Sequence, residues 1–234
     1  MGDGWEVLVV SKAGSAPPEV SMSLAERAIL AVREMVHDGV LLPGQPVRQG
    51  AVAEQLGISR VPVREALKSL QADGLVEPSP SGGFVVVRLS GDELSQIYLM
   101  RRLLETEMLE RIVDVPEAEI DVLTDLNVQM AQRIEKPDRE WHALNRRFHF
   151  GMFALAGMRH VVVETARLWD QSAPYRSIYS SDRAVRDRIV GEHAQLLDAL
   201  RRGDLAQLVR FMDAHRGASQ VEVVSLLSRP SLPG

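Results

Sequence analysis

The sequence predicts a mainly α protein: an N-terminal winged helix-turn-helix followed by an all-α, antiparallel six-helix bundle. Three observations carry that expectation. Leu56-Gly57-Ile58-Ser59-Arg60-Val61-Pro62-Val63-Arg64-Glu65-Ala66-Leu67 reads as a tight turn feeding a helix with a basic exposed side. Residues 74–87 read as two strands around a Gly82-Gly83 turn, the second strand marked by a β-branched run. From Ser90 onward strand signals nearly vanish, and apolar residues recur with the helical period.

In chain order, residues 24–38 form a first helix and 51–56 a short second one. Gly57 supplies the positive φ that ends the second helix, and Ser59 is expected to cap the third by accepting a hydrogen bond from a free backbone N–H. Pro62 falls in the first turn, where it breaks no helical bond. Val63, Ala66, Leu67 and Leu70 follow at i, i+3, i+4 and i+7, the spacing of a buried face, which leaves Arg60, Arg64 and Lys68 outside on a neighbouring stripe. A helix buried on one side, basic at its start and docked after a short helix, is the geometry that enters DNA by its N-terminal residues. Arginine suits that place because its planar fork bonds guanine O6 and N7 together, or a phosphate. By periodicity alone these arginines would serve equally well as a solvated helix face.

The chain has 234 residues, 45% of them hydrophobic, enough for two cores. The expected division is a flexible extension over 1–22, the winged helix-turn-helix over 23–89, the helical domain over 90–229 and a tail over 230–234. Trp5 to Val10 reads as a short strand within the extension, and Met22, immediately before the first helix, as an alternative start. The net charge of −5 does not advertise nucleic acid, and residues 21–90 hold seven basic against seven acidic side chains. DNA binding must therefore rest on the placement of a few arginines rather than on a global basic field. No apolar run approaches the ~20 residues of a membrane span, and no signal peptide opens the chain, so the expectation is a cytoplasmic protein without a membrane partner. The absence of cysteine excludes disulfides, thiol catalysis and cysteine-type zinc sites.

The six helices of the second domain are read over 91–113, 116–135, 137–156, 158–178, 182–202 and 204–227. Pro116 and Pro137 sit at helix starts, Asp182 and Asp204 act there as caps or charge complements, and Gly157 and Gly203 fall at helix ends. Three of these helices each point one histidine along an apolar stripe. Asn145, His149, Met152 and Ala156 share one face; Ile189, His193, Leu196, Leu197 and Leu200 another; Leu208, Phe211, Met212, His215 and Ala218 a third. One buried imidazole is usually a satisfied core residue, but three converging on one interior point to a shared site, because a buried polar ring needs a hydrogen bond or a metal. Imidazoles suit zinc, nickel, copper or iron, and the i, i+4 spacing of Asn145 and His149 lets both reach one ion.

Two sets of motifs carry a resemblance to a known family. Leu42-Pro43-Gly44, Ala53-Glu54-Gln55-Leu56-Gly57-Ile58-Ser59-Arg60, Pro62-Val63-Arg64-Glu65-Ala66-Leu67 and Gly74-Leu75-Val76 resemble the DNA-binding domain of GntR-family transcription regulators. That resemblance implies DNA contacts from Arg48, Ser59, Arg60, Val61, Pro62, Arg64, Lys68, Gly82 and Gly83. Gly50 stands where many relatives carry a polar or basic residue, and Ser81-Gly82 where the wing is often basic. Asn145-Arg146-Arg147-Phe148-His149, Glu192-His193-Ala194-Gln195-Leu196-Leu197-Asp198-Ala199-Leu200 and the late His215 resemble the FCD ligand-binding domain of the FadR branch. Six helices place it nearer the VanR-like subgroup. The resemblance implies a divalent metal, zinc or nickel, held by Asn145, His149, His193 and His215 beneath a small carboxylate effector. Asn145 occupies the family's aspartate position, and a neutral amide oxygen is the poorer ligand. Arg101 matches an arginine near the effector; a plain i, i+4 pair with Glu105 competes with that role.

Three functions fit these readings. The first is a metabolite-responsive repressor that binds an inverted-repeat operator in double-stranded DNA as a homodimer. The second keeps the DNA-binding head and makes the bundle a metal-free effector or dimerisation module. The third, a metal-dependent hydrolase, is disfavoured because no carboxylate occupies the histidine stripes as a general base and the winged helix would be idle, so no enzymatic activity is expected.

Overall fold

Ser23 opens the first element: its hydroxyl accepts the Glu26 N–H, and the Glu26 carboxylate accepts the Ser23 N–H at 2.7 Å, a capping box in front of α1 (Leu24–His37). The structure is a computed structural model that describes residues 22–135 and 139–228. The expected strand at Trp5–Val10, Pro137 and the tail lie outside the described residues. The chain divides into two units, one ending at Arg88 and one beginning at Leu89.

In the first unit α1 is followed by β1 (Pro46–Val47), α2 (Gln49–Leu56), α3 (Arg60–Ala72), β2 (Val76–Pro78) and β3 (Phe84–Val86). Val63, Ala66, Leu67 and Leu70 are all fully buried, and the core they form includes Ala28, Val32 and Val36 of α1. Gly57 ends α2 at φ 65° as expected. Two details differ from the expectation. Ser59 is the N-cap residue of α3 with extended backbone, but its hydroxyl makes no capping bond. The cause is local: Pro62 is the third residue of the helix, and the N–H that such a hydroxyl usually accepts is missing there. The hairpin also gains a third strand: the antiparallel sheet is ordered β1-β3-β2, with β3 central, and Pro46 pairs with Val85 and Val47 with Phe84. A two-residue strand that begins at proline carries no periodicity for a sequence reading to detect.

In the second unit the chain forms α4 (Gly91–Glu110), α5 (Glu117–Gln132), α6 (Arg139–Ala154), α7 (Arg159–Tyr179), α8 (Arg183–Arg201) and α9 (Leu205–Ser228). Ser90 and Glu93 repeat the capping box at α4, while Asp182 and Asp204 each accept a backbone N–H from the first turn of the helix that follows. Gly157 and Gly203 leave their helices at φ 67° and 66°. α4 packs against α9 and α7, α5 against α6 and α8, and α8 against α9. Trp141, Phe148, Phe150 and Phe153 of α6 fill the interior, so the helix that carries His149 is buried along most of its length.

Candidate functional site

The face of α3 opposite its core is built from Arg60, Val61, Arg64 and Lys68, all exposed, with Val61 retaining 66% of its surface. An exposed apolar side chain between two arginines is unneeded by the core and suits contact with a thymine methyl. Arg60 leans back over α2. A Cβ at Gly50 would stand 3.1 Å from its Nη2, so the departure at Gly50 makes room that the guanidinium takes. Arg48, exposed, precedes α2 as its N-cap residue. The wing tip turns through Gly82 and Gly83 at φ 91° and 81°, held by the Gly82 N–H donating to Ser79 O. Both glycines are exposed, and both need the left-handed region that other residues avoid. Pro62 is half-buried in the first turn and Ser59 is exposed beside it. Thus all nine residues expected at DNA lie in this unit, and eight of them are exposed.

In the helical unit His149, His193 and His215 come together. Each offers a ring nitrogen, and these atoms lie within 4.8 Å of one another. His149 and His193 are buried, with their Nε2 atoms 3.2 Å apart; the His215 side chain retains 12% exposure. Burial comes first, and then the charges of His193, His215, Arg101 and Arg176, in holding His149 well below the usual histidine range; burial and His215 act on His193 in the same direction. Both rings are therefore neutral near pH 7, the form that donates a lone pair. Phe148 stacks on His193 with ring centroids 4.0 Å apart, which fixes that imidazole's plane.

The donor set fits a divalent ion. Three ring nitrogens converge, and the Oδ1 of Asn145, one helical turn before His149, is buried without a hydrogen-bond partner among the described residues. An orphaned acceptor in an apolar interior costs free energy that a cation would offset. His215 is further oriented by Glu192, whose Oε2 lies 2.6 Å from its Nδ1 and so leaves Nε2 for the cluster. Sequence reading missed Glu192. Its position, one residue before His193 and so about a quarter turn round α8, was the available signal.

Arg101 makes the ion pair that competed with its effector role: its Nε donates to Glu105 Oε1 at 2.8 Å, both side chains buried. Glu105 also faces Arg216, whose Nη1 is 3.4 Å from Oε2. The Arg101 guanidinium lies 4.3 Å from the Trp169 ring, and the His149 ring lies 4.9 Å from the same indole. Trp169 and Arg176 escaped the sequence reading because neither lies on a histidine stripe. Among the described residues, no helix is long and apolar enough to cross a membrane.

Comparison with known proteins bears on both units. Residues 24–86 match the family model described as bacterial regulatory proteins, gntR family, and residues 96–218 match that of the FCD domain. The HTH-type transcriptional regulator YdhC of Bacillus subtilis is 31% identical over 136 residues, 56% of this chain and 59% of that protein's length. The HTH-type transcriptional repressor GlaR of Escherichia coli is 25% identical across 76% of this chain and 85% of its own. Among solved structures, E. coli McbR/YncC superposes with a TM-score of 0.76 at 21% identity, covering 89% of this chain and all of that one, which shows the shared fold.

Proposed function

This chain belongs to the gntR family of bacterial regulatory proteins and carries an FCD domain, and on that premise we propose that it is a metabolite-responsive repressor of transcription in the cytoplasm. The single observation that carries the DNA-binding part is α3: a helix buried on one side and presenting Arg60, Val61, Arg64 and Lys68 on the other. Arg60 and Arg64 read base edges or clamp phosphates, Arg48, Ser59, Pro62 and Lys68 position the helix, and Gly82-Gly83 let the wing backbone approach the duplex. The repressor name of the relative GlaR supports that direction of control.

One winged helix reads too few base pairs for specificity, so two copies act on half-sites related by a two-fold axis. Leu99, Met100 and Leu103, a stripe of exposed apolar residues on α4, support association of two copies. In the bundle, His149, His193 and His215 with Asn145 hold a divalent ion, zinc or nickel, which would supply a positive charge and an open coordination position for a carboxylate. Arg101 faces that carboxylate with the nitrogens that Glu105 leaves unused. A metal-free bundle is the second reading, favoured by the 3.2 Å contact through which His149 and His193 satisfy one another.

Selection of the full chain against random double-stranded DNA tests the proposal. An enriched inverted repeat, bound by a dimer in native mass spectrometry, is expected. Absence of enrichment at low salt, or a single half-site bound by a monomer at saturation, would refute it.

A further inference from the structure

Five arginines in the interior of the helical unit can be followed to their partners. Arg146 pairs with Asp170 at 2.7 Å, Arg101 with Glu105 at 2.8 Å, and Arg216 with Asp213 at 2.8 Å. Arg186 is held by the carbonyls of Ile134, Ser180 and Ser181, where α7 ends. Arg176 differs. It donates through Nη1 to Trp169 O at 2.9 Å and to Ser172 Oγ at 2.5 Å, and no carboxylate among the described residues lies within ion-pair reach of it.

Its surroundings make that lack costly. Arg101 also donates to Ser172 Oγ, at 3.4 Å, so two guanidiniums converge on one neutral hydroxyl. Both lie over the same indole, Arg101 at 4.3 Å and Arg176 at 4.2 Å from the Trp169 ring. Burial, reinforced by Arg101, pushes Arg176 down to about 9. A half-buried cation beside another cation, whose nearby carboxylate, Asp170, is already paired with Arg146, is a configuration that an anion relieves. A divalent ion held by the histidine cluster would add to the imbalance, because Asn145 contributes no charge to offset it.

We propose that Arg176 is a second anion anchor and that the ligand of this bundle is a small dicarboxylate, one carboxylate directed to the histidine cluster and the other held by Arg176 beside Trp169. The inference rests on the reading of the bundle as a carboxylate site at a metal, and it adds the ligand's charge and a specificity residue. A monocarboxylate leaves Arg176 uncompensated. A charge-assisted bidentate bond is worth enough to separate the two classes by tenfold or more.

The test is calorimetry on the zinc-loaded full chain with chain-length-matched pairs, butyrate against succinate and pentanoate against glutarate, with intrinsic tryptophan fluorescence as a second readout of binding. The diacid is expected to bind at least about tenfold tighter than its monoacid. In Arg176→Gln that ratio falls to near one, and Arg176→Lys, which keeps the charge without the fork, retains part of it. Clear binding with a wild-type ratio near one, or a ratio that survives Arg176→Gln, overturns the anchor and leaves the carboxylate reading standing. No binding by acids of either class overturns both. The wild-type ratio decides without a variant if Arg176→Gln does not fold.

Discussion

Asn145 is the residue on which the proposed metal chemistry turns. With imidazole nitrogens and an amide oxygen and no carboxylate in its first coordination sphere, the proposed site would leave a divalent ion's charge uncompensated. Asn145→Asp should therefore tighten zinc binding, and His193→Ala should abolish it by removing a strong ligand. Glu192→Gln keeps a hydrogen-bonding atom near His215 Nδ1 but removes the charge that raises ligand basicity, and a loss of about tenfold or more in zinc affinity is expected. Zinc calorimetry on the four proteins checks all three outcomes; equal affinities throughout would make the histidines packing residues. The same residues predict a pH dependence. His149 and His193 titrate below the ordinary value of 6.5 in the folded chain, so the unfolded chain binds protons that the folded one refuses. Stability should hold above pH 6.5 and fall as the pH drops below it toward the folded values, by on the order of 1 kcal/mol per pH unit for each histidine. Urea unfolding of metal-stripped protein at pH 7.5, 6.5 and 5.5 measures the slope, and His193→Leu should reduce it. At the DNA face, Arg60→Ala and Arg64→Ala should each cost about 1–3 kcal/mol at the operator while the fold is kept. Unchanged affinity in both would remove α3 from the interface.

The elements were legible because each is punctuated chemically. Pro116, Asp182, Asp204, Gly157 and Gly203 mark helix ends in the sequence and stand at or beside helix ends in the structure. What was not legible depends on contacts between elements: β1 exists only because β3 pairs with it, and Arg176 and Trp169 meet Arg101 only after α7 packs on α4. The histidine stripes predicted convergence because helical period fixes which side chains share a face, but Glu192 lies off the stripe of α8, and its place beside His193 was the one hint that it reaches across to α9. Gly151, two residues after His149, shows how tightly one such contact is set. A Cβ there would stand 2.8 Å from Leu123 Cδ2, so alanine fits only if the buried Leu123 side chain shifts. An ordinary mid-helix Gly→Ala change stabilises by about 1 kcal/mol. Here the clash should cancel that gain, and it should reappear in a Leu123→Ala background, where room has been made. Urea midpoints of wild type, the two single variants and the double variant read the coupling. Stabilisation by Gly151→Ala alone would show that the helices have slack.

At the scale of the whole molecule, the proposed repressor requires that ligand at the histidine cluster and DNA at α3 compete for, or cooperate through, one conformational equilibrium. Such coupling requires differential binding, typically worth 1–3 kcal/mol between two sites, and it is reciprocal. The acidic composition sharpens the point. With a net charge of −5, the chain gains little from non-specific attraction to DNA, so a change of that size at the operator is large relative to the background. The most direct test is fluorescence anisotropy of the selected operator with the full chain, titrated without metal, with zinc, and with zinc plus glutarate, in wild type and His193→Ala. Wild type should change its operator affinity by about fivefold or more when zinc and glutarate are present together, while His193→Ala stays flat. Identical operator affinity in all three conditions for wild type, or the same shift in His193→Ala, would contradict the account.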